Sequence, residues 1–208
     1  MLAQSPQNKG KIGVLIEEHF DETEFRKFNE FFPGHGYEVE YITHLWGQKQ
    51  LTFNGNDFTE KVTVTKEVCD VLLTDYKAFI LIGGYAMDRL RYQEHPQEGQ
   101  ANHAPAVEFL RKAAKAMDLG QMKIGTICHA LWLFCAAPEI LAGRKVTCAH
   151  NIMGDVQNAG AKLIFQGDQL IDTYVDGNLV TGRHPGVVDA FLQRFLSELE
   201  ASHVHITA

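Results

Sequence analysis

A cysteine and a histidine stand side by side where a predicted strand meets a predicted helix, in the segment KIGTICHALWLFCAAPEILAG (123–143). Cys128 would lie at the carboxyl end of that strand and at the N-terminus of the helix that follows. Unpaired N–H groups and the helix dipole at such a position lower a thiol pKa and favour the nucleophilic thiolate. The alternative is an inert, buried cysteine, and position alone does not separate the two interpretations.

His129 follows directly, and a histidine at this point could act as a base. Adjacent residues on a helix face different directions, so its ring need not contact the thiol. Its backbone N–H is one of the unpaired donors at the predicted helix start and could bind an oxyanion. Gly83 and Gly84 offer a second donor, because a backbone without side chains can approach a substrate closely. The same Gly-Gly pair is also typical of a plain turn.

Two further loops supply acidic side chains, EEHFDETEF (17–25) and GGYAMDRLR (83–91). Most of these carboxylates are expected to be solvated charges on a loop or at a helix start. One of them could fold back over Cys128. It would then have to stay protonated, which burial favours, because a carboxylate beside a thiolate is repulsive.

Alternating strand and helix patterns predict how these loops meet. Buried strands are indicated at KIGVLI, YEVEYIT, AFILIGG, KIGTI and KVTCA, and helices after the first strand, at about 88–94, 104–118, from about 129, and over 185–200. This order predicts a doubly wound α/β sandwich with a mostly parallel central sheet. An Asn-Gly turn and a β-branched run within 44–66 predict an inserted β-hairpin. Ligands bind at the carboxyl ends of such strands, which selects the loops 17–24, 83–91 and 128–131.

Composition narrows the class of protein. The chain has 208 residues, is 45% hydrophobic and carries a formal net charge of −7, which predicts one domain and argues against nucleic acid or an anionic membrane as partner. Four cysteines without framework spacing suit a reducing cytosol, and no spacing resembles a zinc site. The N-terminus lacks the apolar core of a signal peptide. The sequence therefore predicts a cytoplasmic protein without a metal, with loose tails at 1–10 and 201–208.

The chain resembles the DJ-1/PfpI superfamily, most closely its PfpI-like and plant DJ-1-like branch. The resemblance is carried, over residues 11–196, by KIGVLIEEHFDETEF, AFILIGGYAMDRLR, IGTICHALWLF, GRKVTCAH, NAGAK and VDGNLVTGRHP, in that order. It implies a flavodoxin-like fold of the class I glutamine amidotransferase type, with residues 1–208 as a single domain.

The resemblance also implies roles. Cys128 would be the reactive thiol on a strained nucleophile elbow, and His129 its base. Asp21 falls where the family has a glutamic acid bonded to the thiol, and Asp88 where PfpI-like members present a glutamate to the histidine of a neighbouring subunit. Gly84 and the backbone of His129 would form the oxyanion hole. An intersubunit contact of this kind implies a homo-oligomer, at least a dimer.

Several positions depart from the family pattern. Asp21 and Asp88 are each one methylene shorter than the glutamates they replace. Tyr85 stands in place of a basic residue, Trp132 adds bulk beyond the elbow, and His150 occupies a strand end where other members have no histidine. Tyr85, Trp132 and His150 are therefore predicted to shape substrate binding.

Three functions are compatible with these residues. The first, which the resemblance favours, is cofactor-free attack of Cys128 on a reactive carbonyl, as in glyoxalase III conversion of methylglyoxal to lactate or in protein deglycation. The second is a PfpI-type cysteine peptidase or amidase acting on a peptide. The third is a non-catalytic, redox-sensing stress protein whose thiol is oxidised.

Overall fold

The computed structural model describes residues 8–204, which form one large sheet with helices packed against it. The strands are β1 (Gly10–Leu15), β2 (Tyr37–Thr43), β3 (Leu51–Asn54), β4 (Lys61–Val64), β5 (Lys66–Glu67), β6 (Tyr76–Leu81), β7 (Lys123–Ile127), β8 (Lys145–Val146), β9 (Lys162–Leu163), β10 (Phe165–Gln166), β11 (Gln169–Leu170), β12 (Thr173–Asp176) and β13 (Leu179–Gly182). The helices are α1 (Glu22–Gly34), α2 (Ala86–Leu90), α3 (Pro105–Asp118), α4 (Trp132–Cys135), α5 (Pro138–Leu141), α6 (Met153–Asn158) and α7 (Val188–Val204).

The central sheet has seven strands in the order β12-β13-β7-β6-β1-β2-β5. Its neighbours are parallel except β12, which pairs antiparallel with β13. From β1 the chain winds outward through β2 and β5, then returns to β6 on the other side of β1 and continues to β7. The direction of winding reverses between β1 and β6, and the crevice at such a point is where doubly wound sheets bind ligands. The predicted α/β class is confirmed.

Helices pack closely against both faces of the central sheet, which explains why the sequences of the central strands are continuous apolar runs. All of β7 is buried. A Cβ on Gly125 would lie 2.9 Å from ring atoms of both Phe191 and Phe195, so only glycine lets α7 approach this closely. The Phe79 ring of β6 meets the Phe109 ring of α3 at 5.0 Å. Phe79 pairs with Ile124, the neighbour of Gly125, so α3 and α7 cover opposite faces.

The inserted hairpin is present as β3 and β4, which pair antiparallel. The helix predicted from about 129 is different in the structure, because residues 128–131 form turns and only the short α4 and α5 follow. Pro138 begins α5 and cannot continue a preceding helix, which accounts for the break between the two.

The chain ends also differ from the prediction where they are described. Gly10 already belongs to β1, and α7 runs to Val204, beyond the predicted end at 200. Residues 1–7 and 205–208 of the predicted loose tails lie outside the described residues. Within 8–204, no helix has the length and apolar character that a bilayer crossing requires.

Candidate active site

Cys128 forms a strained turn directly after β7. Its φ of 59° lies in the left-handed region, which is costly for a residue with a side chain. Two backbone hydrogen bonds hold it there: its N–H donates to the Gly182 carbonyl at 3.0 Å, and its carbonyl accepts from the Ala149 N–H at 3.1 Å. This strand–turn geometry is that of a nucleophile elbow, which presents a side chain at the edge of the sheet.

The turn brings the side chains of Cys128 and His129 together. The sulfur lies 3.2 Å from His129 Nδ1. On a helix these neighbours would point apart, but residues 128–131 are not helical, so the expectation from helical geometry does not apply. A base is therefore in hydrogen-bonding contact with the thiol.

The second nitrogen of His129 contacts a residue that the sequence analysis missed. His129 Nε2 lies 2.9 Å from Asn151 Oδ1. An amide oxygen accepts hydrogen bonds only, so Nε2 carries the proton and Nδ1 presents its lone pair to the sulfur. Asn151 thus selects the tautomer that can accept the thiol proton. Asn151 lies 22 residues beyond His129, within the segment CAHNI, and nothing in the local sequence pattern indicates a functional role for it.

Two backbone N–H groups lie near the same sulfur. They belong to Gly84 and His129, and hydrogen bonding from them favours the charged form of Cys128. Gly84 has a φ of +72°, and a Cβ there would lie 2.3 Å from the carbonyl oxygen of His19. Only glycine fits at this position, so the Gly-Gly pair allows the backbone at residue 84 to pack closely against the backbone of His19 and is more than a plain turn.

A carboxyl group lies beside the thiol, and it belongs to Glu24. Its side chain is fully buried, and Oε2 accepts a hydrogen bond from the Gly83 N–H at 2.6 Å. Oε1 of Glu24 and the Cβ of Cys128 are 2.7 and 2.8 Å from the position that a Cβ on Gly83 would occupy. Among the described residues, Oε1 is buried without a hydrogen-bond partner. It is therefore free to donate a proton toward the sulfur.

Asp21, which the resemblance places in this position, has a different function in the structure. It is the N-cap of α1, and its carboxylate accepts from the Glu24 N–H at 3.0 Å. The spacing Asp-x-x-Glu is a helix-start signal, in which the fourth residue usually accepts from the N–H of the first. Here the Asp21 N–H donates to the Gly83 carbonyl at 3.2 Å instead, so the Glu24 side chain is not needed at the cap. Asp21 still acts on the site through its charge.

Burial controls the protonation of the acid and the thiol. It raises the pKa of Glu24 well above its usual value, and the nearby charge of Asp21 adds to the effect. Burial also raises the pKa of the Cys128 thiol, and charge on Glu24 or Asp21 raises it further, against the hydrogen bonds from Gly84 and His129. The thiol pKa is not lowered as the predicted helix start implies, because that helix does not begin at the elbow and Cys128 is only 5% exposed. At rest Cys128 is a thiol and Glu24 an acid.

The imidazole remains a neutral base near neutral pH. Burial lowers the pKa of His129, the bond to Asn151 and the charge of Asp21 oppose the shift, and electrostatic interaction with His150 and His184 adds to it. His150, predicted as a substrate contact, is exposed and close enough to affect the pKa of His129. His184 is a second residue that the sequence analysis missed.

Aromatic rings form one wall of the site. The Trp132 and Tyr85 rings stack against His129 with centroids at 4.9 and 6.1 Å, and Tyr85 is 54% exposed. Two further contacts hold the Trp132 ring in position: its indole N–H donates to Asp155 at 2.8 Å, and the Arg91 guanidinium lies 5.5 Å from the ring centroid. Both aromatic residues predicted to shape substrate binding therefore border the base.

Asp88 lies apart from His129 in this chain. Its carboxylate accepts from Arg91 Nε at 2.9 Å, and it lines a groove of about 370 Å³ with Glu17, Trp46, Arg89 and Tyr92. Both nitrogens of His129 are already engaged by Cys128 and Asn151. A partner's Asp88 would have to displace one of them, so that intersubunit contact stays a prediction.

Comparison with known proteins decides the family. The family model described as DJ-1/PfpI family matches residues 10–198. The chain belongs to the DJ-1/PfpI family. The matched residues include the elbow, the buried glutamic acid and the glycine pair.

Relatives and solved structures agree with this assignment. Escherichia coli K12 "Protein/nucleic acid deglycase 2" is 30% identical over 192 residues, which cover 92% of this chain and 98% of that protein. Bacillus subtilis "Putative cysteine protease YraA" is 27% identical over 190 residues, covering 91% and 98%. A two-domain Anabaena variabilis protein with DJ-1/ThiJ/PfpI-like and ferritin-like domains superposes with a TM-score of 0.76 at 24% identity. The match covers 92% of this chain and 48% of that one, and supports the fold alone.

Proposed function

We propose that the protein is a cysteine-dependent enzyme that acts on reactive carbonyl compounds, by glyoxalase III-type conversion of methylglyoxal to lactate or by protein deglycation. The observation that carries the proposal is the contact of 3.2 Å between the Cys128 sulfur and the unprotonated Nδ1 of His129 on a strained elbow. A thiol with a raised pKa needs a base at the moment of attack, and this contact supplies one.

The steps follow from the positions of the groups. As the sulfur bonds to the aldehyde carbon, its proton passes to His129 Nδ1 and the carbonyl oxygen becomes an oxyanion. The N–H groups of Gly84 and His129 would stabilise that oxygen until it takes the proton and gives a hemithioacetal. Nδ1 then takes the proton of the former aldehyde carbon and returns it to the neighbouring carbon. Through the intervening enediol the hydroxyl proton passes to the former ketone oxygen, which leaves a lactoyl thioester. Water hydrolyses it to lactate and restores the thiol.

A second candidate is a cysteine peptidase or amidase. The hydrogen-bonded order Cys128, His129, Asn151 has the residue types of the cysteine peptidase triad, and one relative carries a protease name. A redox sensor is supported less, because peroxide reacts with thiolates, and burial raises the pKa of Cys128.

Two assays separate these functions. The wild-type protein is expected to produce lactate from methylglyoxal without added glutathione, at a rate proportional to enzyme concentration. A peptidase would instead form an acyl-enzyme on Cys128 with an activated amide or ester, detected by intact mass. Acyl-enzyme formation and peptide cleavage without lactate would replace the first candidate by the second, and neither product would overturn both.

Asn151 is expected to set the protonation of the base. Asn151→Ala removes a hydrogen bond that raises the pKa of His129, so the acid limb of the kcat/KM profile should move to lower pH. Because the imidazole also loses its orienting partner, kcat should fall by about 10- to 100-fold. Asn151→Asp presents a carboxylate to Nε2 and should move the same limb to higher pH. A change in rate without these opposite shifts would contradict the assignment.

Asp88→Asn is the matched comparison for that experiment. If His129 is oriented by Asn151 of its own chain, this variant should keep the wild-type pH profile. If a neighbouring subunit supplies the acid, Asp88→Asn should instead lower kcat more than Asn151→Ala does, and sedimentation should show a dimer or larger assembly. A homo-oligomer remains part of the proposal, as do a small carbonyl or peptide substrate and a cytoplasmic location.

A further inference from the structure

A second cluster of reactive side chains lies at the carboxyl edge of the sheet, away from Cys128. It consists of His44, Glu67 and Cys69, whose ligand atoms all lie within 4.8 Å of one another. The strands that carry it, β2 and β5, are separated from β7 in the sheet by β1 and β6. The cluster is therefore distinct from the site described above.

The sheet itself brings these residues together. Thr43, the last residue of β2, pairs in parallel with Glu67, the last residue of β5. His44 therefore leaves the sheet beside Glu67, and its Nδ1 lies 3.1 Å from Glu67 Oε1. Glu67 also caps the short turn Val68–Asp70, which carries Cys69. His44 and Glu67 are 23 residues apart in the sequence, so no local spacing indicates that they meet. The sequence analysis accordingly predicted no metal site.

The carboxylate is already held in position. Glu67 Oε2 accepts from the Leu45 N–H at 2.7 Å, and Oε1 accepts from the Cys69 N–H at 3.1 Å. The His44 ring packs against the Trp46 ring with centroids at 4.4 Å. Metal ligands are oriented in this way by hydrogen bonds and packing around them, which lowers the cost of assembling a site.

We propose that His44, Glu67 and Cys69 bind a divalent transition-metal ion of the zinc type. Imidazole nitrogen, carboxylate oxygen and thiolate sulfur are the protein ligands of Zn²⁺, and a set of three leaves a fourth position open. Tetrahedral bonds of about 2.1 Å place a nitrogen and an oxygen ligand about 3.4 Å apart, close to the separation seen here. Cys69 is exposed on a single turn, so its sulfur can close on the ion by side-chain rotation.

The fourth position has space beside it. A cavity of about 230 Å³ adjoins His44 and is lined also by Trp46, Tyr92, His95 and His103. A water molecule or a small anion can complete the coordination from that side. Binding would release the Cys69 thiol proton to solvent, so the affinity should rise with pH.

The test is Zn²⁺ binding to the full chain carrying Cys128→Ser, which removes the other reactive thiol. One Zn²⁺ per chain is expected by calorimetry, and Zn²⁺ should protect Cys69 from iodoacetamide in peptide mass mapping. Adding Cys69→Ser or His44→Ala should weaken binding at least about tenfold. Cys135→Ser and His35→Ala, the matched controls, lie outside the cluster and its cavity and should leave the affinity unchanged.

Two results would overturn the proposal: no binding to the full chain, or binding that survives both Cys69→Ser and His44→Ala. The control variants separate a specific site from general affinity for surface thiols and histidines. Carbonyl chemistry does not enter this experiment, so its outcome is independent of the function proposed for Cys128.

Discussion

Replacing Cys128 by serine is expected to lower kcat/KM for the carbonyl substrate by at least about a thousandfold. Serine keeps the size of the side chain and a hydrogen bond to His129, but its hydroxyl is a much weaker acid and nucleophile than a thiol. The left-handed backbone at this position is unchanged, so the fold should be retained. The measurement is lactate formation from methylglyoxal, with circular dichroism as a check of folding.

Cys135→Ser is the matched control for this variant. Cys135 is a half-buried cysteine on α4, outside the contacts that surround the Cys128 sulfur. Its replacement should leave kcat/KM within about threefold of the wild type. Equal lactate formation by the wild type and by Cys128→Ser would remove the proposed mechanism.

The second large effect concerns Glu24. Glu24→Ala is expected to lower kcat by about a hundredfold, because it removes the buried proton donor beside the sulfur and the acceptor of the Gly83 N–H. Glu24→Gln should retain most of the activity, because a neutral amide can replace a protonated carboxyl in both contacts. Asp21→Asn tests the residue suggested by the resemblance. It preserves the helix cap and should reduce activity far less than Glu24→Ala.

The protonation of Glu24 can also be measured through stability. Its pKa in the folded protein is raised, so the folded chain keeps a proton that the unfolded chain loses above a pKa of about 4.5. The free energy of unfolding therefore falls as the pH rises from 4.5 toward the folded pKa. Glu24→Gln has no such proton to lose. Its free energy of unfolding relative to that of the wild type should therefore rise by up to about 1.4 kcal/mol per pH unit in that window. A difference independent of pH would show that Glu24 is ionised in the folded protein.

Much of the architecture could be predicted from the sequence because local patterns determine it. Strands β2 and β7 have the predicted bounds, since β2 alternates in polarity as a strand does and β7 is a short, fully buried segment. The same patterns identified Cys128, because a small residue at a strand end has few alternative positions in a parallel sheet. The helix predicted beyond it was wrong, because Pro138 and the left-handed conformation of Cys128 override the apolar periodicity.

The contacts that decide the chemistry depend on tertiary structure. Asp21 and Glu24 are close in sequence and both are buried, and only the position of Gly83 on a neighbouring strand end determines that Glu24 accepts its N–H. Asn151 reaches His129 from a short 3-10 helix, His150–Ile152, and nothing in the local sequence predicts this contact. The sequence does contain one sign of the arrangement of Asp21 and Glu24, because Asp-x-x-Glu at a helix start predicts that the aspartate caps the helix.

The two hydrogen bonds that hold the elbow set the order in which the site can be completed during synthesis. One bond comes from Ala149 and the other from Gly182, and both residues are translated after Cys128. A fragment that ends before β13 would contain Glu24, Cys128 and Asn151 and would still lack a partner for the Cys128 N–H. Both hydrogen bonds of the elbow are therefore present only after β13, the last parallel strand in chain order, has joined the sheet.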